Sequence, residues 1–312
     1  HAWCQLFSEP GSGSDLAGAS TKAELLDGQW IINGQKVWNT SAHHADFGIL
    51  VARTDWDLPK HQGLSYFLIN MRQPGVEARP LKQMNGHASF NEVFMTDAIV
   101  PAEDLMGGEG NGWAIATTTL SIERQGFARG RTPTVSRTAE EGPIYQEFAA
   151  ELEIANEPYT WYPQREGRVD LVLPRAKETG AIKDPAVRQE IARLICLSSG
   201  ARLAAASAAA QRKSGSNEVI PAGSIGKLGA SIIARQAAHV HTMISGSDAM
   251  LSGQESAAKG MIAETLISVP AISIAGGTDE IQRNIISERV LAMPKEQRSD
   301  TGPFRDIKRN VT

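Results

Sequence analysis

Leu105-Met-Gly-Gly-Glu-Gly-Asn-Gly-Trp113-Ala-Ile-Ala-Thr-Thr-Thr-Leu120-Ser-Ile-Glu-Arg-Gln-Gly-Phe-Ala-Arg129 is where the chain changes its grammar. Before Gly112, short apolar runs alternate with turn signals, which is strand behaviour. After it no proline interrupts Trp113 to Arg129, and Trp113, Ile115, Ala116, Leu120 and Phe127 fall at helical spacings. A single switch from strand to helix implies an α+β chain: a β domain over residues 1–105, sandwich or barrel, then a C-terminal helix-bundle domain over 106–312.

Upstream of the switch, His1 to Phe7, Phe47 to Ala52, Leu64 to Asn70 and Val93 to Thr96 read as buried strands. Asn33-Gly34, between Trp30-Ile31-Ile32 and Lys36-Val37-Trp38, predicts a type I′ hairpin turn, because both central residues of that turn need positive φ. Asp27-Gly28, Pro74-Gly75 and Asn85-Gly86 punctuate the rest. Downstream, Asp184 caps a helix whose first residue is Pro185 and which runs on through Ala186 to Lys213, rich in Ala, Ser and Gly. Two more helices are expected at Ala222 to Ser247 and Thr278 to Leu291. The latter has Thr278 as N-cap, Asp279 and Glu280 in its first turn, and Ile281, Ile285 and Ile286 as its apolar stripe. Gly130 to Lys183 is an unusual insertion, with helical character over Gly142 to Glu153 and a loop over Glu157 to Pro163.

Composition narrows the function. Lys and Arg number 31 against 35 Asp and Glu, a net charge of −4, without the basic excess that nucleic-acid binding requires. Two cysteines, Cys4 and Cys196, make neither a disulfide scaffold nor a zinc module, and fit a reduced, cytoplasmic setting. The most apolar run, Gly200 to Ala210, is mostly alanine, so no membrane span and no membrane role are expected. The chain opens on His1 inside a strand-like run, and a preceding segment is expected.

Four stretches could carry chemistry. Ser8-Glu-Pro-Gly-Ser-Gly-Ser-Asp15 offers N–H groups and hydroxyls to an anion, although composition alone reads it as a surface loop. Trp38-Asn39-Thr40 sits past a strand end. Glu123-Arg124 reads as a solvated helix pair unless a ligand buries it. Gly276-Gly-Thr278 precedes a helix N-terminus with free N–H donors. His43-His44 would diverge in a strand and has no third ligand at a useful spacing, so no metal is expected.

The order and separation of Ser8-Glu-Pro-Gly-Ser-Gly-Ser-Asp15, Gly34-Gln-Lys-Val-Trp-Asn-Thr40 and Gly276-Gly-Thr-Asp-Glu-Ile-Gln-Arg283 resemble the acyl-CoA dehydrogenase family in its bacterial form, over nearly the whole chain. Members of that family begin with a further helical domain. The resemblance implies FAD between the β domain and the helices, with Gln5, Phe7, Ser8, Gly13 and Ser14 lining the flavin and Ser14 also facing the acyl-CoA. Trp38 and Thr40 match the pair that packs on and hydrogen-bonds the flavin ring. Thr278 and Glu280 match the helix start that touches FAD, often that of a neighbouring subunit. The family's pyrophosphate-binding arginine has no clean counterpart; Arg175 and Lys177 lie near its place.

The base departs from the commoner pattern. Many members place the catalytic Glu immediately before Gly-Thr of the last motif, where this chain has Gly276. A minority carry it on the helix beneath the substrate, followed by Arg, and Glu123-Arg124 falls there. The resemblance therefore implies α,β-dehydrogenation of an acyl-CoA to trans-2-enoyl-CoA, with Glu123 as α-proton base and hydride transfer to flavin N5. Ser14, Ser121, Arg124 and Gly276 are assigned to the substrate, and the Gly276 N–H to the thioester oxygen. Burial under the flavin would raise the pKa of Glu123 toward working pH. An electron-transfer flavoprotein as acceptor and a homo- or hetero-oligomer, dimer or tetramer, are also implied. The vacancy at Gly276 keeps a non-catalytic partner subunit as the alternative, alongside a flavin oxidase or hydroxylase on the same scaffold.

Overall fold

The computed structural model describes residues 1–129, 142–147, 166–213, 222–253, 255–298 and 300–308. The chain forms two compact units, His1–Leu120 together with Lys295–Thr312, and Ser121–Pro294. In the first, eight strands form one sheet: β1 (Trp3–Leu6), β2 (Lys22–Leu26), β3 (Gln29–Val37), β4 (Phe47–Arg53), β5 (Leu64–Asn70), β6 (Val76–Leu81), β7 (Phe90–Pro101) and β8 (Leu105–Met106). Their order is β6-β7-β3-β2-β4-β5-β8, with β1 parallel to β4. Trp30 of β3 meets Phe67 of β5 edge to face at 5.2 Å although two strands separate them in the order, so the sheet curls like a barrel around its core.

Alternation explains the apolar runs. Leu50 and Ala52 of β4 enter the core with Leu6, Ile32, Phe67, Ile69, Val93 and Val100. Val51 points the other way, into a second cluster with Phe7, Leu16, Leu64 and Tyr66 against Trp113, Ile115 and Leu120 of the helix Gly112–Arg129. A strand buried on both faces reads as continuous apolar sequence.

Asn33-Gly34 is not the hairpin turn. Leu26 pairs with Gln29, so the two-residue turn is Asp27-Gly28, with φ of 50° and 79°. Asn33-Gly34 lies inside β3 at a register shift against β7. There the Asn33 side chain exchanges hydrogen bonds with Asp97, at 3.0 Å to its carboxylate and 2.9 Å from its N–H, and a Cβ on Gly34 would sit 2.6 Å from Thr21 Oγ1. Tertiary partners decide between turn and bulge for a dipeptide that suits both.

In the second unit, helices span Val169–Glu178, Pro185–Lys213, Ala222–Ser245, Met261–Ser268 and Asp279–Arg289. Asp184 Oδ1 caps the second by accepting from Ala186 N at 2.8 Å. Val172, Ala176, Val187, Ile191, Leu194, Ala237, Val240 and Ile244 form the core of this unit. The helix Val169–Glu178 lies within the insertion, outside the stretch expected to be helical. Residues 143–147 are helical, while the rest of Gly142 to Glu153 and the loop Glu157 to Pro163 lie outside the described residues.

The membrane expectation needs one correction. Among the described residues one helical stretch, Pro185–Gln211, is long and apolar enough to cross a membrane by length and composition. The sequence reading passed over it because Ala and Ser dilute its Ile, Leu and Val without adding charge.

Candidate active site

The loop after β1 is shaped from within. Glu9 N–H donates to Ser12 O and Ser12 N–H to Glu9 O, each at 3.0 Å, closing a tight turn over Pro10-Gly11. The Glu9 carboxylate accepts from Ser20 N (2.7 Å), Ser20 Oγ (2.9 Å), Thr21 N (2.8 Å) and Lys36 Nζ (2.8 Å). Lys36 Nζ also donates to Phe7 O at 3.0 Å, and its side chain is fully buried. Burial pushes the Glu9 pKa up, but the Lys36 charge and the hydrogen bonds from Lys36, Ser20 and Thr21 outweigh it and hold the carboxyl at about 2. A charged clamp under the loop thus leaves Gly13 and Ser14 exposed on top.

The same clamp joins the two motifs of this unit. Val37 N–H donates to Ser8 O at 2.9 Å, and Asn39 Nδ2 donates to Gln5 O at 2.7 Å. Gln5, Phe7 and Ser8 are thereby neighbours of Trp38 and Thr40. Phe7 is buried; Gln5, Ser8 and Thr40 are half-buried. Trp38 sits at φ 63° with 60% of its surface exposed, its ring edge-on to Phe90 at 6.0 Å. A left-handed tryptophan held against solvent is costly in two ways, and such strain gathers at ligand sites. A planar, apolar ring such as a flavin is the kind of group that would cover it, next to the hydroxyls and N–H groups of the Ser8–Asp15 loop, so these residues fit FAD.

In the second unit the Gly276 loop is gripped by its carbonyls. Gln282 Nε2 donates to Gly276 O at 3.0 Å and to Gly277 O at 3.1 Å, and Arg124 Nε donates to Gly276 O at 3.3 Å. Gly276 and Gly277 lie at φ 68° and 89°. Thr278 caps the following helix by accepting from Ile281 N at 3.3 Å. Asp279 is buried there and accepts from Lys227 Nζ (3.1 Å) and Ser231 Oγ (2.8 Å), with Arg235 at 3.1 Å. Ile281, Ile285 and Ile286 are only half-buried; the deeply buried positions of this helix are the polar Asp279 and Gln282. Glu280 is exposed and pairs with Arg283 at 3.6 Å.

Ser121 and Glu123 are exposed on their helix, and Arg124 is half-buried. The guanidinium assigned to substrate therefore already holds the Gly276 peptide. Arg175 is buried; it donates to Ser245 Oγ at 3.4 Å and leaves its Nε without a partner, whereas Lys177 is exposed. His43 and His44 lie in a helical turn, not a strand, and their rings approach to 3.8 Å instead of diverging. His43 Nδ1 shares a hydrogen bond with Asn91 Oδ1 at 2.8 Å. No group of three His, Cys, Asp or Glu is placed to hold a metal among the described residues. Sequence reasoning passed over Glu9, Lys36, Asn39 and Gln282. The available signal was slight: Lys36 directly precedes Val37-Trp38, and Gln282 directly follows Ile281.

Residues 4–98 match the family described as acyl-CoA dehydrogenase, middle domain, and residues 168–291 the acyl-CoA dehydrogenase C-terminal domain. The acyl-CoA dehydrogenase IpdE1 of Mycobacterium tuberculosis is 34% identical over 294 residues, covering 94% of this chain and 67% of that protein. The acyl-CoA dehydrogenase FadE34 of the same organism is 53% identical over 128 residues, 41% of this chain and only 18% of that protein. The ChsE4-ChsE5 complex of Mycobacterium tuberculosis is similar in fold, with a TM-score of 0.66 and 21% identity over 94% of this chain and 69% of that one.

Proposed function

Because the chain belongs to the acyl-CoA dehydrogenase family, we propose that it dehydrogenates an acyl-CoA thioester across its α,β bond, with Glu123 as the base. The observation that carries this reading is the bond from Arg124 Nε to Gly276 O: it ties the helix that bears Glu123 to the loop from which other members present their base. The α-proton of a thioester is too weakly acidic for a carboxylate unless the developing enolate oxygen is hydrogen-bonded. Arg124 and Gln282 fix the Gly276 carbonyl, and with it the peptide plane between Gly276 and Gly277; the Gly276 N–H, in the peptide just before it, serves as that donor. Glu123 then takes the α-proton. When bound, FAD supplies the acceptor for the β-hydride, which leaves trans-2-enoyl-CoA. Gln5, Phe7, Ser8, Gly13, Ser14, Trp38 and Thr40 would hold it from the β unit, and Thr278 and Glu280 from a helix start.

Electrons then pass to an electron-transfer flavoprotein, and the chain works within an oligomer. The fold likeness to a two-component complex supports a heteromer. Glycine at the usual base position favours one other reading, a partner subunit that binds FAD without catalysing. Glu123→Gln separates the two. The variant is expected to keep FAD while flavin bleaching by acyl-CoA slows at least 10²–10⁴-fold, roughly the worth of a general base. Bleaching at the wild-type rate would remove Glu123 from the mechanism. A fully FAD-loaded wild type inert to every acyl-CoA would favour the partner subunit.

A further inference from the structure

Residues 295–308 follow the last helix of the second unit yet belong to the first. Phe304 N donates to Leu58 O and Arg305 N to Trp56 O, both at 3.0 Å, and Pro303 bridges Pro59, so this segment pairs antiparallel with the stretch after β4. Two of its side chains reach the back of the Ser8–Asp15 loop and of the residues that follow it.

The Phe304 ring is 1% exposed, and the Arg53 guanidinium lies 3.4 Å from its centroid. That guanidinium is itself fully buried and donates to Ala17 O (2.7 Å), Ala19 O (3.0 Å) and Lys60 O (3.1 Å). Asp300 meets Lys60 Nζ, whose other contacts are both carboxylate oxygens of Asp15 at 2.8 Å. Arg298 grips Asp300 through two bonds of 2.9 Å and keeps it aimed at Lys60. Asp15 O in turn accepts from Ser12 Oγ at 2.6 Å and from Gly18 N at 2.9 Å. Hydrogen bonds from Arg298 and Lys60 hold the Asp300 carboxyl well below the usual carboxylate range, so it stays charged throughout the working pH range.

We propose that Asp300 and Phe304 are positioning residues for the flavin-lining loop: Asp300 fixes it at Asp15 through Lys60, and Phe304 fixes its exit at Ala17 and Ala19 through Arg53. The geometry has a clear logic. Gly13 and Ser14 must stay open to a ligand, so the loop has little apolar surface of its own to bury and is held from behind by a segment distant in sequence. The flavin part of the proposal rests on the functional reading above; the strap itself does not.

Amide hydrogen exchange on the 312-residue chain tests the strap at Ser12, Gly18 and Ala19, whose N–H groups bond Glu9 O, Asp15 O and Leu16 O. Titration with FAD, followed by flavin fluorescence, tests the consequence. Asp300→Asn is expected to speed exchange at these amides about tenfold and to weaken FAD binding by a similar factor, a change of about 1.4 kcal/mol. Val51 and Phe67, in β4 and β5, should exchange as in wild type, and Asp300→Glu should restore most of the protection. Phe304→Ala should act most strongly at Ala19; if it fails to fold, Asp300→Asn and its rescue carry the test. Unchanged exchange at the three amides, or an increase spread equally over β4 and β5, overturns the proposal. A wild type that takes up no FAD refutes the flavin reading, and exchange still decides the strap.

Discussion

Replacing Lys36 with methionine strands a buried carboxylate, and two routes give the size of the effect. By geometry, Lys36 is fully buried and Glu9 is 6% exposed, so little water can replace the lost ammonium. Removing one partner of a buried pair costs about 3–5 kcal/mol. The three donors that Glu9 keeps, Ser20 N, Ser20 Oγ and Thr21 N, put this case near the lower end. By linkage, a Glu9 pKa lowered from 4.5 to about 2 corresponds to about 3 kcal/mol, net of the burial penalty. The sign follows from the lowered folded-state value. This stabilisation is complete above pH 4.5 and is lost as the pH falls toward 2. Urea denaturation followed by tryptophan fluorescence should show Lys36→Met about 3 kcal/mol less stable than wild type at pH 7. The gap should narrow as the pH falls below 4.5, where the wild type gives up the same interaction. A loss under 1 kcal/mol at pH 7, or a gap that widens in acid, would refute the clamp.

Two smaller expectations concern the second unit. Thr278→Ala removes the acceptor of the Ile281 N–H and should cost about 1 kcal/mol in a thermal or urea melt, with Thr278→Ser retaining most of the stability. Gly277→Ala must hold an L-residue at φ 89° with its new Cβ 2.7 Å from Gln282 Nε2, so it should cost roughly 1–2 kcal/mol. Because Gln282 also holds the Gly276 carbonyl, single-turnover flavin bleaching should fall by more than that stability loss accounts for; an unaffected rate would detach the Gln282 clamp from catalysis.

How far the sequence could be read depends on whether a residue's partner is local. Phe47 to Ala52 was legible because a strand buried on both faces needs no more than its own composition to declare itself. The N-caps Asp184 and Thr278 were legible because a cap and its donor lie within a few residues. Asn33-Gly34 misled because the choice between turn and bulge lies with Asp97 and Thr21, which no local pattern reveals. Lys36 and Glu9 are 27 residues apart, and each alone reads as a solvated charge. The strap at 300–306 has no periodicity, and its anchors, Asp300 and Phe304, gain meaning only from Lys60 and Arg53. For the candidate site, the order of the motifs singled out the loops whose geometry is described above. It did not reveal that Arg124 already holds the Gly276 peptide.

Lys36–Glu9 in the first unit and Lys227–Asp279 in the second share a design, each a buried ion pair beneath a loop whose outer face must stay open. Such pairs contribute little net stability against apolar replacements of the same shape, so stability alone does not account for them. Geometry offers a better reason. A carboxylate has two oxygens, and those of Glu9 are shared among Ser20 N, Ser20 Oγ, Thr21 N and Lys36 Nζ, fixing the chain on both sides of the loop. A glutamine has a single acceptor oxygen and cannot serve the Ser20 and Thr21 amides equally well. Stability and loop order should therefore separate in the double variant Lys36→Met, Glu9→Gln. With no buried charge left, it should regain most of the 3 kcal/mol that Lys36→Met alone loses, roughly the range for such replacements. Its Ser20 and Thr21 amides should nevertheless exchange faster than in wild type, and its FAD uptake should be weaker than that of wild type. If protection at those amides returns together with the stability, an uncharged pair holds the loop equally well, and the charges are there for some reason other than order.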